Sequence, residues 1–178
     1  MNVFILCSGR CGSVTLAKAF QHAENYSTGH ESRSGLCGRN RVNYPADHIE
    51  ADPRLAWFLG RLDREFGDKA FYVHLTRDKA QVIASFAKKK DRPAMGAMAV
   101  PHFAGGMAKI PPNTREAVRE YVETVNENIS LFLKDKPNQM GIQIDRIAEQ
   151  FPILWERIGA QGNINEALWE LTEKHNAS

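Results

Sequence analysis

Val3-Phe4-Ile5-Leu6-Cys7 is the first unbroken apolar run in the chain. A short run of β-formers without alternation predicts a strand buried on both faces. Ser8 to Ser13 interrupts it with turn residues, and Val14 to Ala23 then sets Val14, Leu16 or Ala17, and Phe20 on one helical side. Strand, glycine-containing loop and helix in immediate succession open a βαβ unit. A weakly marked strand follows over Asn25 to Thr28, and Gly29 to Asp52 lacks periodicity and reads as a functional loop or lid. Asp52-Pro53 has the form of an N-cap followed by proline at the first helical position. It predicts a helix to Phe66 with Leu55, Phe58, Leu59 and Leu62 in phase.

Ala70 to Leu75 is the next buried strand and Lys79 to Lys89 the next helix. Arg92 to Pro112, rich in Met, Gly and Pro, is a second irregular segment. Thr114 to Leu133 carries Val118, Tyr121, Val122, Val125, Ile129 and Phe132 on one stripe, which predicts a long helix. Met140 to Ile144 reads as a strand, Ile147 to Ile158 and Ile164 to His175 as helices. Trp57, Trp155 and Trp169 fall at apolar helical positions and are expected in the core. The alternation predicts one α/β domain over residues 1–178, a parallel sheet with helices on both faces.

At 178 residues and 43% hydrophobic, the chain can bury a core without disulfides or a structural metal. A net charge of +2 is too mild to argue for nucleic acid. The apolar run Val3–Leu6 is too short for a signal peptide or a membrane span. Cys7, Cys11 and Cys37 are odd in number, and no Cys/His pair at zinc spacing follows the first two. Reduced thiols, no metal and a cytoplasmic location are the expectation. Two basic groups, Arg33/Arg39/Arg41 and Lys88/Lys89/Lys90/Arg92, suit either a polyanionic ligand or a solvated face.

The loop after the first strand carries the first candidate chemistry. A strand feeding a helix through a tight turn aims backbone N–H groups at one point, where the helix dipole favours an anion. Gly9 and Gly12 allow close approach, Ser13 and Thr15 offer hydroxyls, and Arg10 offers a fork for non-bridging oxygens. It is not a Walker A loop, because Gly12 is followed by Ser13-Val14 where that motif has Lys-Ser/Thr. A ligand-free glycine turn is the plain alternative. The second signal is Leu75-Thr76-Arg77-Asp78 at a strand's carboxyl end, with Ser85 on the next helix. Ligands in open parallel sheets bind outside the carboxyl ends of strands, so Arg77 can share an edge with the first loop. A structural Arg77–Asp78 ion pair is the competing reading.

Together, VFILCSGRCGSVTLAKAF and FYVHLTRDKAQVIASF resemble the sulfotransferase superfamily, most closely its bacterial and carbohydrate-type members. The resemblance covers most of the chain and implies a P-loop-NTPase-like three-layer fold. It implies 3′-phosphoadenosine-5′-phosphosulfate (PAPS) as co-substrate, a small-molecule or carbohydrate acceptor, and no metal. Arg10, Cys11, Gly12, Ser13, Val14 and Thr15 match the 5′-phosphosulfate loop, and Arg77 with Ser85 matches the family's 3′-phosphate site. Val14 stands where a hydroxyl residue is frequent, and there is no Gly-rich RKG-type segment. The resemblance therefore leaves closure of the 3′-phosphate site to Lys88–Lys90 or to the Arg33–Arg41 group.

In-line sulfuryl transfer needs positioning, charge stabilisation on the leaving phosphate, and a base for the acceptor proton. Glu31 is the first candidate base, since carbohydrate-type members place a catalytic Glu in a comparable region. Its alternative is a solvent-exposed loop carboxylate. His30 is second, and His48, His74 and His102 follow, with His74 more simply a satisfied sheet histidine. Asp52 reads as an N-cap or as a lining of the acceptor cleft. Met95, Met98, Met107, His102 and Phe103 suggest an apolar acceptor lid. Two other classes stay open: a P-loop kinase or hydrolase, for which Asp145 is the strand-end acid, and a non-catalytic nucleotide-binding module.

Overall fold

The computed structural model describes residues 1–88, 99–111 and 114–173, the side chains of 87, 88 and 99 excepted. Five strands form the sheet: β1 Val3–Leu6, β2 Ser27–His30, β3 His48–Ala51, β4 Phe71–Thr76 and β5 Gln139–Gln143. The helices are α1 Ser13–Ala19, α2 Leu59–Phe66, α3 Lys79–Lys88, α4 Ala99–His102, α5 Arg115–Leu133, α6 Ile147–Arg157 and α7 Ile164–Thr172. All pairings are parallel, in the order β2-β3-β1-β4-β5.

Register assigns the faces. Val3 and Ile5 share a face with Ile49, Ala51, Phe71 and Val73, whereas Phe4 shares the other with Glu50 and Tyr72. On the first face His30, paired with Ala51, meets Ser13 of α1, and Arg157 of α6 lies over the Phe71 ring. On the second, Tyr72 meets Phe132 and His74 meets Asn126, both of α5, and Phe66 of α2 packs on Phe4. Helices therefore cover both faces of a mixed α/β fold, which is why β1 reads as a continuous apolar run. Phe4 is fully buried, with its ring centroid 5.4 Å from Tyr44, 4.7 Å from Phe66 and 5.9 Å from Tyr72.

Four expectations are corrected. The segment 29–52 is not all loop, because β3 lies within it and pairs between β2 and β1. The predicted helix from Pro53 to Phe66 is divided: a 3₁₀ turn spans Pro53–Trp57, and Phe58 at φ −122°, ψ 21° separates it from α2. The 3₁₀ period of that turn leaves Trp57 44% exposed, and Trp169 on α7 is 63% exposed; Trp155 alone of the three is core. Within 92–112, residues 99–108 are helical, with α4 running into a π-helical Phe103–Ala108 whose Phe103 and Ala104 are buried.

Candidate functional site

Connections after β1 and β4 leave in opposite directions. From β1 the chain passes through α1 to the β2 edge; from β4 it passes through α3 to α5 to the β5 edge. These strands are neighbours, so their carboxyl ends flank the sheet's switch point, where open parallel sheets have a crevice. The 7–12 loop and the Arg77–Asp78 turn both emerge there.

The loop's shape comes from three successive departures into the left-handed region, at Gly9 (φ 87°), Arg10 (φ 58°) and Gly12 (φ 89°). A Cβ on Gly12 would stand 2.6 Å from Ile144 Cδ1, the movable end of a side chain, so φ is what favours glycine there. α1 begins at Ser13, with no side chain capping its first turn and first-turn amides that have no intrahelical acceptor. Ser13 is buried, and Val14 and Thr15 are half-buried in that turn. Cys11 Sγ donates to Gly9 O at 3.1 Å and lies 3.6 Å from Ser8 Oγ. The Cys7 thiol is pushed up by its bond to Cys11 and by burial, while that same bond pulls Cys11 down.

Arg10, Arg77 and Ser85 converge on the crevice. Arg10 Nε donates to Ser85 Oγ at 3.0 Å, and Arg77 Nη1 donates to Arg10 O at 3.3 Å. Arg77 is held from its other edge by Gln81 Oε1, at 3.1 Å from Nε and 2.8 Å from Nη2. Asp78 instead caps α3 by accepting from Gln81 N, and no Arg77–Asp78 ion pair occurs among the described residues. Burial and the charge of Arg77 both lower the proton affinity of Arg10. Two half-buried guanidiniums thus sit close enough to repel, an arrangement that an anion between them relieves.

The turn after β2 brings Glu31 and His30 to the same end of the sheet. His30 Nε2 lies 3.1 Å from Ser13 Oγ, which ties β2 to the start of α1. Glu31 takes φ 53°, uncommon for a residue with a Cβ, and its amide donates to Ala51 O at 3.1 Å. Beneath it, fully buried Glu50 accepts from Ser32 N at 2.8 Å, from Ser32 Oγ, and from His48 Nε2 at 2.9 Å. Burial alone raises a carboxyl's pKa, but the His48 and Ser32 hydrogen bonds outweigh it and hold Glu50 below its ordinary value. Glu50 is therefore a buttress for the turn. A Cβ on Gly29 would stand 2.6 Å from Glu50 Oε2.

Sequence reasoning missed Arg54. Asp52 Oδ1 accepts from Arg54 N at 2.8 Å, the expected N-cap, and Asp52 Oδ2 pairs with buried Arg41 Nη2 at 2.5 Å. The Asp52 carboxyl is raised by burial, against the pull of Arg41. The Arg54 side chain turns toward Glu31, with Nη1 2.6 Å from Glu31 Oε2 and 3.7 Å from Asp52 Oδ1. Both Nη atoms are nevertheless buried without an aligned hydrogen bond. The available signal was Asp-Pro-Arg directly after a strand, hidden because β3 itself was unrecognised.

Several candidates are not brought to the crevice. Arg41 is held by Asp52, and Arg33 donates to Asn40 O and lies over Tyr44, so these two do not close over Arg77. His48 is buried between Ser27 and Glu50, and His74 is lowered by burial while bonded to Asn126 Oδ1. His102 is exposed, and Asp145 is exposed at the end of edge strand β5. The side chains of Lys88–Lys90, Arg92, Met95 and Met98 lie outside those described. Among the described residues, no group of three or more His, Cys, Asp or Glu is placed to hold a metal, and no helix is long and apolar enough to cross a membrane.

Comparison of the sequence with protein-family models and with curated proteins gave no match in either case.

Proposed function

We propose that the protein is a PAPS-dependent sulfotransferase with a P-loop-NTPase-like fold, moving a sulfuryl group to an acceptor hydroxyl or amine. The observation that carries this reading is the meeting of Arg10, Arg77 and Ser85 at the β1/β4 crevice. Residues widely separated in sequence supply two adjacent cations and a hydroxyl where an open sheet binds ligands. Two anionic groups on one nucleotide, a 5′-phosphosulfate and a 3′-phosphate, match that provision. The residues fit the donor: left-handed turns at Gly9 and Gly12 shape the loop, and Arg10 and Arg77 stand close enough to repel, which a bound anion relieves.

Bound there, PAPS supplies the sulfuryl group and a phosphate leaving group. Arg10 and the 9–13 backbone hold the phosphosulfate end, and the growing charge on the leaving oxygen falls to Arg10. Arg77 and Ser85 hold the 3′-phosphate, which distinguishes this nucleotide from ADP or ATP. Glu31 accepts the acceptor proton, kept in place by Arg54 on one side and by Glu50 through Ser32 on the other. His30 orients Ser13 at the loop's exit. The kinase or hydrolase reading is less well supported. The loop has no Walker Lys, and Asp145, the strand-end acid of that reading, stands exposed after edge strand β5, while Asp52, directly after β3, has its oxygens engaged by Arg41 and the Arg54 amide. Calorimetric titration with 3′-phosphoadenosine-5′-phosphate (PAP), ADP and Mg·ATP tests the proposal: selective PAP binding supports it, and preference for Mg·ATP overturns it.

A further inference from the structure

The Arg77 fork is only partly used by the protein itself. A guanidinium has five N–H donors and no acceptor. Three are engaged: Nε and Nη2 on Gln81 Oε1, at 3.1 Å and 2.8 Å, and Nη1 on the Arg10 carbonyl at 3.3 Å. Two remain, one on each Nη, a pair able to grip two oxygens of one phosphate. Because Arg77 can only donate, the Gln81 amide must turn its oxygen toward it. The Gln81 Nε2, with two donors of its own, is thereby held beside the same guanidinium, and it bonds to nothing among the described residues.

α3 sets this amide in line with the rest of the site. Gln81 and Ser85 are four residues apart on that helix, so their side chains share one face. Each engages one of the two converging guanidiniums, Gln81 that of Arg77 and Ser85 that of Arg10. The main chain beneath is pinned as well, with Asp78 Oδ1 accepting from Gln81 N at 2.9 Å. Gln81 is exposed, yet it is fixed at backbone and side chain alike. Resting on the sulfuryl-transfer reading, we infer that Gln81 is a specificity-determining residue of the donor site: its oxygen aligns Arg77, and its Nε2 donates to the 3′-phosphate of the nucleotide. The 3′-phosphate is then read by three side chains, Arg77, Gln81 and Ser85, two of them on one face of α3.

Calorimetric titration of the parent, Gln81→Ala and Gln81→Glu with PAP and with ADP tests this, alongside a thermal scan of each protein. The parent is expected to prefer PAP. Gln81→Ala costs PAP about tenfold more affinity than it costs ADP, the scale of a hydrogen bond to a charged group. Gln81→Glu keeps an oxygen for Arg77 but sets a second acceptor where the donor stood. Its PAP affinity therefore falls below that of Gln81→Ala, whereas a residue that only aligned Arg77 would be replaced by Glu without loss. The melting temperature should not fall in either variant, because Gln81 is exposed, and this marks the loss as one of recognition. A PAP preference that survives Gln81→Ala, an equal loss for PAP and ADP, or a Gln81→Glu variant that binds PAP as the parent does overturns the inference and leaves the donor reading standing. A parent without preference for PAP over ADP overturns both.

Discussion

Arg77 Nη1 donates to the main-chain carbonyl of Arg10 at 3.3 Å, across 67 residues of sequence. The contact fixes the distance between the two halves of the crevice without using Arg77's whole fork. Arg10 in turn reaches Ser85 from Nε at 3.0 Å. Ser85→Ala removes that anchor and one hydroxyl donor. PAP affinity is expected to fall by about 1 kcal/mol, roughly fivefold, the net worth of one hydrogen bond. The melting temperature should stay almost unchanged, because Ser85 is only half-buried. Calorimetry and a thermal scan check the two halves of this expectation.

Glu31→Gln separates catalysis from binding. The amide is isosteric but cannot take a proton, so PAP affinity is retained while transfer falls about 10²- to 10⁴-fold, the usual contribution of a general base. Product formation from ³⁵S-labelled PAPS with the acceptor in excess provides the readout. Undiminished transfer would remove Glu31 from the mechanism and leave His30 as the next residue to test.

Gly12→Ala strikes the cradle's shape. The new Cβ meets Ile144 Cδ1 at 2.6 Å, and the backbone stands at φ 89°. Ile144 can yield, but the dihedral cannot relax without moving the start of α1. A loss of about 1–3 kcal/mol is expected, in line with strain at a left-handed position. In Gly12→Ala/Ile144→Ala, denaturant melts should recover only part of that loss.

Much of this architecture is legible in the residues alone. β1, β4 and α5 read clearly because apolar run and helical stripe both reflect burial, and Arg77 with Ser85 was locatable from its strand end. β3 was hidden because His48-Ile49-Glu50-Ala51 buries two polar residues that satisfy each other, through His48 Nε2 and Glu50 Oε2 at 2.9 Å. A hydropathy pattern scores such a strand as loop. Arg54 vanished with it, since a cation on the expected surface of a helix carries no signal until the helix is seen to begin beside the cradle. Trp57 was misjudged for a related reason: a 3₁₀ turn keeps a period of about three residues, so apolar spacing read at 3.6 places the ring on the wrong side.

Stability should decline with acid in two separable steps. Burial lowers the His74 pKa in the folded state, with the Asn126 hydrogen bond opposing it. Its contribution is full above the unfolded value near 6.5 and is lost as pH falls toward the lower folded value. Glu50 is held below its ordinary value of 4.5 because the His48 and Ser32 hydrogen bonds outweigh burial. Its contribution is full above that value and is lost as pH falls through the depressed folded one. Asp52, raised by burial, contributes with the opposite sign, so each step is read from a variant against the parent. His74→Gln should flatten urea-derived stability below about pH 6.5, and Glu50→Gln should flatten it only below about pH 4.5. Parallel curves for parent and variants would contradict both assignments.

The central claim is that Arg77 and Ser85 read a 3′-phosphate while the 9–13 loop reads the 5′ end. Titrating parent and Arg77→Ala with PAP and with ADP isolates the first part, because the 3′-phosphate distinguishes PAP from ADP. The account predicts that the parent prefers PAP. It also predicts that Arg77→Ala costs PAP about 1.5–3 kcal/mol more affinity than it costs ADP, the range for a hydrogen bond to a charged group, any smaller loss for ADP reflecting the lost contact to the Arg10 carbonyl. Equal loss for both nucleotides, or no preference for PAP in the parent, would contradict it.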